Sequence, residues 1–509
     1  TLPIGFTLEP KKIRGVLSEG MLCAEDELGL SEDHEGLMVL GEEAVPGTVL
    51  GKYLGRKASI VFEIDNKSIT NRPDLWGQYG MARELAAITG NTLKKPFNEE
   101  WKKKLSSNFN KEKSPVTITV EPDSCCLGYF GYTVDGITVS ESPDWMQQRL
   151  LECGMRPINS IVDISNYVML ELGMPNHIFD RRLIEGGTIH VRRTGCEEEF
   201  VTLDEMTRKL VPSDTVVADS TKALVIAGIM GGANSGVNSQ TDSVFVEVAN
   251  WKDVEIRKTS TRIGLRTDSS LRYEKSLDSL SLERSALRIM ELLLQLNPGA
   301  KVVGKLEYDG PDLNAVSIPH IQLEHTRMER LLGTSIAADQ VRSIMTALDF
   351  GIEAEQDGCY KISVPSYRAT KDIECDADII EEIGRIYGYD KLKPVPPLWS
   401  VEAVSLIPEK QLHRKVLDFM VLNAGAHEIM TYPLSGEAAL KKADWPELAE
   451  DLILANALSP DRSRMRPSMV PGILEAAALN ARNYDRFTLF EYGRVYLADK
   501  KEFSREQNH

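Results

Sequence analysis

The sequence predicts a multidomain chain of mixed α+β and α/β class, and three observations carry that expectation. At 509 residues it is too long for one hydrophobic core, and length alone argues for three or four domains. Period-2 apolar runs such as "VTITV" and "GYTVDGITV" alternate with helical-period stretches such as "DWMQQRLLECG" and "SLERSALRIMELLLQLNPG". A Lys-rich polar stretch ("NTLKKPFNEEWKKKLSSNFNKEKSPV") and a Pro-rich break ("KPVPPLW") punctuate the chain.

Taken in order, residues 1–55 hold short apolar runs with turn signals in "EAVPGTVLGKYLG", as in part of a small β domain. Residues 56–113 open with the strand-like "SIVFEID", turn at "TNRPD" and enter a helix at "LWGQYGMARELAAITG" before the polar stretch. Residues 114–310 alternate strands and helices; "ALVIAGIMGG" and "SVFVEVANW" are apolar enough for buried strands, and a helix runs from a Ser281 cap to Pro298-Gly299. Residues 311–394 predict a helix near 337–348, two strands around "GIEAEQDGCYKISV" and a final acidic helix. Residues 395–509 mix helices with strands such as "RFTLFEYGRVYL".

A formal charge of −17 argues against a protein that coats nucleic acid, which needs clustered Lys and Arg. Seven cysteines without a CxxC pair argue against zinc and against a disulfide framework, and so for a reducing cytoplasm. No apolar run reaches the roughly 18 residues that span a bilayer, and "TLPIGFTLEPKKIRG" lacks a signal-peptide core. The missing initiator Met and the end at "KEFSREQNH" read as a chain clipped at both ends.

Common catalytic signatures (GxSxG, HExxH, Walker A, GxGxxG after a strand) are absent. The densest polar cluster among apolar positions is "MRPINSIVDISNYVMLELGMPNHIFD", with Arg156, Asn159, Asp163, Ser165, Asn166 and His177. Buried polar groups need partners, and a pocket is one way to use them. "GIMGGANSG" supplies glycines for tight turns or for close approach of a ligand. Glu247 interrupts an apolar strand, where it needs a partner or a substrate donor. "TRIGLRTDSSLRYEKSLD" brings together Arg262, Arg266, Thr267, Asp268, Ser269 and Arg272, suited to phosphate or ribose contacts or to surface ion pairs.

"DIECDADIIEEIGRIYGYD" carries six acids in its first eleven positions. At about 100° per residue, Ile379, Ile380, Ile383, Ile386 and Tyr387 share one helix side, and Asp378, Glu381, Glu382 and Arg385 the other, with Asp376 as N-cap. The residues leave three readings open: a solvated face, a hard-cation site drawing also on Asp372, or a protein contact.

These stretches, together with "SEGMLCAEDELGL", "FEIDNKSITNRPDLWGQYGMARELAAI", "PSYRATKDIECDADIIEEIGRIYGYDKL" and "RPSMVPGILEAAALNARNYDRFTLFEYGRVY", resemble, in the same order, the β subunits of bacterial phenylalanyl-tRNA synthetases. The resemblance implies a partial OB-fold tRNA-binding module at 1–55, a small α/β domain and linker at 56–113, and an editing domain at 114–310. It further implies a small helical and winged domain at 311–394 and part of a noncatalytic class II synthetase-like antiparallel-sheet domain at 395–509.

In that family the α subunit activates phenylalanine with ATP and Mg²⁺, and the β chain builds an (αβ)₂ heterotetramer, contacts tRNA(Phe) and hydrolyses tyrosine misattached to it. The resemblance makes Glu247 the acceptor for the tyrosine hydroxyl and His177 the editing-site histidine. Gly231 and Thr267 match pocket-lining positions, Ser165 and Asn166 fall where Thr-Asn is usual, and Ser269 stands where many members have Ala. Asp372, Asp378, Glu381 and Glu382 match residues that bind a magnesium ion shared with the α subunit. The competing expectations are a structural, tRNA-binding subunit with an inactive pocket and a free-standing editing hydrolase. Residues 311–509, which a lone hydrolase has no use for, weigh against the latter.

Overall fold

A computed structural model describes all residues except 1, 3–6, 31–33, 35, 56–58, 357, 447–451, 497–505 and 509. Two compact units result, Thr1–Pro394 and Val395–His509.

In the first unit, the segment expected to be a β module shows one hairpin, β1 (Lys11–Ile13) with β2 (Val16–Ser18), and a single-turn helix α1 (Leu50–Tyr53). The strand expected at "SIVFEID" is not formed among the described residues: Ile60 to Ile64 is unpaired and exposed, because no strand lies beside it to complete its hydrogen bonds. Helix α2 (Gln78–Thr89) follows and stops at Gly90, whose φ of 68° is left-handed. Helix α3 (Glu99–Ser106) is capped by the Asn98 side chain.

The central fold is two sheets and their helices. Strands β3 (Thr117–Val120), β4 (Cys126–Asp135), β5 (His177–Asp180), β6 (Thr188–Arg193), β7 (Glu198–Val201), β8 (Thr207–Leu210), β9 (Thr215–Ala218), β10 (Ala223–Ile226), β11 (Met230–Gly231), β12 (Ser243–Trp251) and β13 (Lys301–Asp309) supply them. A five-stranded sheet runs β11-β10-β9-β6-β3 and a four-stranded one β13-β4-β12-β5, while β7 and β8 form a separate hairpin. All nine residues of β12 are buried, so it is covered on both faces, which explains its near-continuous apolar sequence.

Between the strands lie α4 (Asp144–Glu152), α5 (Ser160–Leu172), α6 (Asp253–Arg262), α7 (Asp268–Tyr273) and α8 (Leu282–Leu296). The apolar stripe of α8 packs on β4, where Tyr132 donates its hydroxyl to the Ala286 carbonyl at 2.9 Å. Ser281 stands at the N-cap of α8 as expected, but its hydroxyl donates to Asp278 rather than capping the helix.

A second core is built by β14 (His320–Glu324), α9 (His325–Leu332), α10 (Ala338–Ala347), β15 (Gly351–Gln356), β16 (Cys359–Ser363) and α11 (Asp376–Tyr387), with strand order β14-β16-β15. Sequence reading missed β14 and α9. Within α11 the Ile379, Ile380 and Ile383 stripe is buried as its spacing requires. The N-cap is Cys375, not Asp376, and Asp378 closes a capping box; Asp376 instead pairs with Arg327.

The second unit holds helices α12 (Pro408–Asp418), α13 (Glu437–Lys442) and α14 (Val470–Asn480). Its strands are short pairs: β17 (His427–Glu428) parallel to β20 (Leu489–Phe490), β18 (Leu434–Ser435) antiparallel to β19 (Arg464–Met465), and β21 (Arg494–Tyr496) antiparallel to β22 (Glu506–Asn508). Among the described residues no helix is long and apolar enough to cross a membrane.

Candidate functional site

The strand register brings Glu247 and His177 together. β12 and β5 pair antiparallel with Glu247 directly opposite His177, so both side chains project from the same sheet face. On the other side of β12, Glu247 opposes Gly131 and Ala249 opposes Tyr129, which puts Tyr129 diagonally across from the carboxylate. The Tyr129 hydroxyl donates to Glu247 Oε2 at 2.7 Å.

Glu247 is 5% exposed. Burial, only partly offset by the Tyr129 bond, pushes its carboxyl up to about 7. The side chain therefore sits near the midpoint of ionisation at neutral pH, and a second donor would shift it toward the carboxylate. Among the described residues no donor reaches Oε1, and this oxygen is not one of the buried polar atoms left without a partner, so it keeps solvent access and free acceptor capacity.

His177 is half-exposed as a residue, yet its Nε2 is buried and has no hydrogen-bond partner. Burial pulls its pKa down to about 4, so the imidazole is neutral at pH 7. A neutral ring with an unpartnered nitrogen can hold a water or a substrate group. The ring packs edge-on against Phe179, centroids 4.5 Å apart.

Gly231, in β11, lies against that ring: a Cβ there would meet His177 Cε1 at 2.6 Å and Leu203 Cδ1 at 3.2 Å. The earlier Gly228 has a left-handed φ of 66° and its Cβ position is filled by Trp251, so it serves the turn. The glycine run thus divides its work between a turn and close approach to the histidine.

Thr267 caps α7, accepting from Ser270 N, and donates to the Ile229 carbonyl at 2.7 Å, which fixes α7 to the turn before Gly231. Ser165 on α5 is bound to the residue preceding His177: its hydroxyl reaches the Asn176 carbonyl at 3.4 Å, and Asn176 Nδ2 donates to the Ser165 carbonyl at 3.1 Å. These contacts join Ser165, His177, Gly231 and Thr267 around one place. Asn166 and Ser269 are half-buried on α5 and α7 and make no side-chain hydrogen bond among the described residues.

The remaining polar candidates serve the fold. Asn159 caps α5, and buried Asp163 accepts from Ser142 Oγ and Ile158 N. Arg262 pairs with Asp214, Arg266 with Glu274 and Arg272 with Asp268, so the arginine cluster is largely spent on ion pairs.

Asp372, Asp378, Glu381 and Glu382, expected to share a magnesium ion, do not assemble a cage. Arg368, almost fully buried, pairs with Asp372 and with Glu382 Oε2, the latter at 2.7 Å. Arg385 pairs with Glu382 and Glu84, and Arg72 with Asp74 and, at 3.0 Å, with Glu84. Asp378 accepts from the backbone N–H of Glu374 and Cys375. Glu381 stays exposed.

Among the described residues no three His, Cys, Asp or Glu are grouped to hold a metal ion. Of the four, Asp372 and Glu382 already have guanidinium groups as countercharge, from Arg368 and Arg385. The sequence placed Glu382 on the solvated side of α11; it is buried because Arg368, from a preceding turn, reaches over to it. Burial resists ionisation of Glu382, but the bonds from Arg385 and Arg368 outweigh it and bring the pKa down to about 2.

The site is thus a buried strand carboxylate opposite a histidine, in a chain that also carries a second core of three strands and three helices. Residues 125–298 match the B3/4 domain, 321–389 the tRNA synthetase B5 domain, and 393–509 the phenylalanyl tRNA synthetase beta chain CLM domain. The phenylalanine–tRNA ligase beta subunit of Solibacter usitatus is 37% identical over 486 residues, 95% of this chain and 61% of that protein. Those of Carboxydothermus hydrogenoformans and Bacteroides thetaiotaomicron are 34% and 36% identical, covering 99% and 97% of this chain and 62% and 60% of theirs.

The chain belongs to the family of phenylalanine–tRNA ligase beta subunits and spans about three fifths of the length of these relatives. A crystal structure of an N-terminal fragment of the phenylalanyl-tRNA synthetase beta-subunit from Pyrococcus horikoshii is 18% identical, with a TM-score of 0.34 over 67% of this chain and 97% of that one.

Proposed function

We propose that this chain is the editing and scaffolding portion of a phenylalanine–tRNA ligase β subunit, and that its site hydrolyses tyrosyl-tRNA(Phe). The observation that carries the reading is the buried Glu247, opposite the neutral His177, with unused acceptor capacity on one carboxyl oxygen. A pocket for a phenyl ring cannot strongly reject the same ring carrying a hydroxyl, so accuracy demands a second site. A buried acceptor inverts the preference: tyrosine satisfies it, whereas phenylalanine leaves it unpaired at a cost of about 1–3 kcal/mol.

Within this reading the reaction is hydrolysis of the ester that joins the amino acid to the tRNA. Glu247 selects the side chain, His177 Nε2 holds the attacking water or the ester in place, and Gly231 leaves room beside the ring. Thr267 and Ser165 fix the elements that carry these groups, with Asn166 and Ser269 completing the lining. No general base is assigned, since none stands within reach of a defined water position.

Phenylalanine activation with ATP and Mg²⁺ belongs to a partner α subunit in this reading, in an (αβ)₂ assembly located in the cytoplasm. The domains follow the same proposal: 1–55 as part of an OB-fold module, 56–113 as a connecting α/β segment, 114–310 for editing, 311–394 as a winged domain, and 395–509 as part of a synthetase-like fold.

The test is aminoacylation of tRNA(Phe) with tyrosine by the full-length subunit assembled with its α partner. Wild type should hold tyrosyl-tRNA near background while Glu247→Ala accumulates it; equally low accumulation in both would reject Glu247 as the selector.

A further inference from the structure

Tyr129 has no place in the editing reading above, yet it is the sole side chain bonded to Glu247 among the described residues. It is fully buried in the middle of β4, stacked edge-on to Trp251 at 6.4 Å between centroids. The residue two positions along β4 and directly opposite Glu247 is Gly131, whose missing side chain leaves room for the Phe245 ring. The carboxylate therefore has one rigid neighbour that can orient it, and that neighbour is held on both sides by sheet pairing to β12 and β13.

We propose that Tyr129 is a positioning residue for Glu247: by donating its phenol to Oε2 it fixes the carboxyl rotamer and keeps Oε1 as the acceptor that reads a ligand's phenolic hydroxyl. This rests on the reading of Glu247 as selector. A freely rotating carboxyl buried in an apolar sheet could turn both oxygens away from a ligand or stay protonated. The Tyr129 bond opposes both, since a donor to a carboxylate favours its ionised form. Burial raises the Glu247 pKa and the Tyr129 bond lowers it, so loss of the phenol must move the pKa upward from about 7. The anion is the stronger acceptor, and discrimination should therefore rise with pH through the Glu247 pKa.

The experiment compares wild type, Tyr129→Phe and Glu247→Gln in the full-length subunit within its assembly, using deacylation of tyrosyl-tRNA(Phe) and phenylalanyl-tRNA(Phe) from pH 5.5 to 8.5. The ratio of the two rates cancels the pH dependence common to ester hydrolysis. Tyr129→Phe should lower the ratio roughly tenfold at pH 7, the loss of one hydrogen bond to a charged group, and move its rise to higher pH. Replacing Tyr129 with 3-fluorotyrosine, which keeps a stronger donor in the same space, should restore the ratio.

A Tyr129→Phe profile that superimposes on wild type overturns the proposal, as does 3-fluorotyrosine behaving like phenylalanine. A parallel infrared titration, with the Glu247 carboxyl band assigned by Glu247→Gln, separates the two claims. If Glu247→Gln leaves the ratio unchanged, the selector reading fails; the band midpoint in Tyr129→Phe still reports whether the phenol sets the carboxyl, and an unmoved midpoint overturns that part on its own.

Discussion

Replacing Arg368 with Met tests whether arginine, rather than a metal ion, holds the acidic helix. The guanidinium is 2% exposed and its partners Asp372 and Glu382 are buried with it. Methionine fills similar volume but leaves two carboxylates short of a countercharge, and breaking a buried pair costs about 3–5 kcal/mol. Asp372 keeps the Asn71 amide at 2.7 Å, and Glu382 keeps Arg385, which argues for the lower end, about 3 kcal/mol.

Hydrogen exchange of peptides covering α11 in the intact chain reads this locally, and about 3 kcal/mol corresponds to roughly a hundredfold loss of protection. Acid provides a second arm. Glu382, held down at about 2 against an unfolded value of 4.5, contributes stability that is fully present above pH 4.5 and is lost as pH falls toward 2. Asp372 offsets part of this, since its burial outweighs Arg368 and raises its pKa. In Arg368→Met the acid loss of α11 protection should start at higher pH. Protection within threefold of wild type at pH 7 would refute the ion-pair account.

Two further predictions concern the metal and the glycine. EDTA should leave α11 protection unchanged, and millimolar Mg²⁺ should not raise it in this chain alone; a Mg²⁺-dependent gain abolished by Asp378→Asn would show that the acids do gather an ion. Gly231→Ala places a Cβ against the His177 ring and should lower tyrosyl-tRNA(Phe) deacylation at least tenfold, with a melting temperature drop of a few degrees, as a forced shift in a packed core costs about 1–3 kcal/mol; unchanged deacylation would detach Gly231 from the site.

Glu247 stood out because a charge inside an apolar nine-residue strand must be accounted for, and the strand proved buried on both faces. Its partner Tyr129 escaped notice, although period-2 counting in "GYFGY" sets Tyr129 and Gly131 on one face; which face meets Glu247 depends on the pairing of β4 with β12, more than a hundred residues apart.

The same limit explains Glu382. Helical periodicity correctly set Ile379, Ile380 and Ile383 inward, but the burial of an acid on the other side is decided by Arg368, whose i,i+4 spacing to Asp372 was the available signal. For "SIVFEID", β-branched composition reports fitness for a sheet, and pairing must come from elsewhere. The helix begins at Asp376, so Cys375, whose backbone is extended, takes the N-cap, and the Asp376 side chain pairs with Arg327.

The most direct test of the central claim is single-turnover hydrolysis of tyrosyl-tRNA(Phe) beside phenylalanyl-tRNA(Phe) by the assembled full-length enzyme, wild type against Glu247→Ala. The account predicts rapid, tyrosine-selective hydrolysis in wild type that loses its selectivity in the variant. Two stable esters in wild type, or undiminished selectivity without the Glu247 carboxylate, would contradict it.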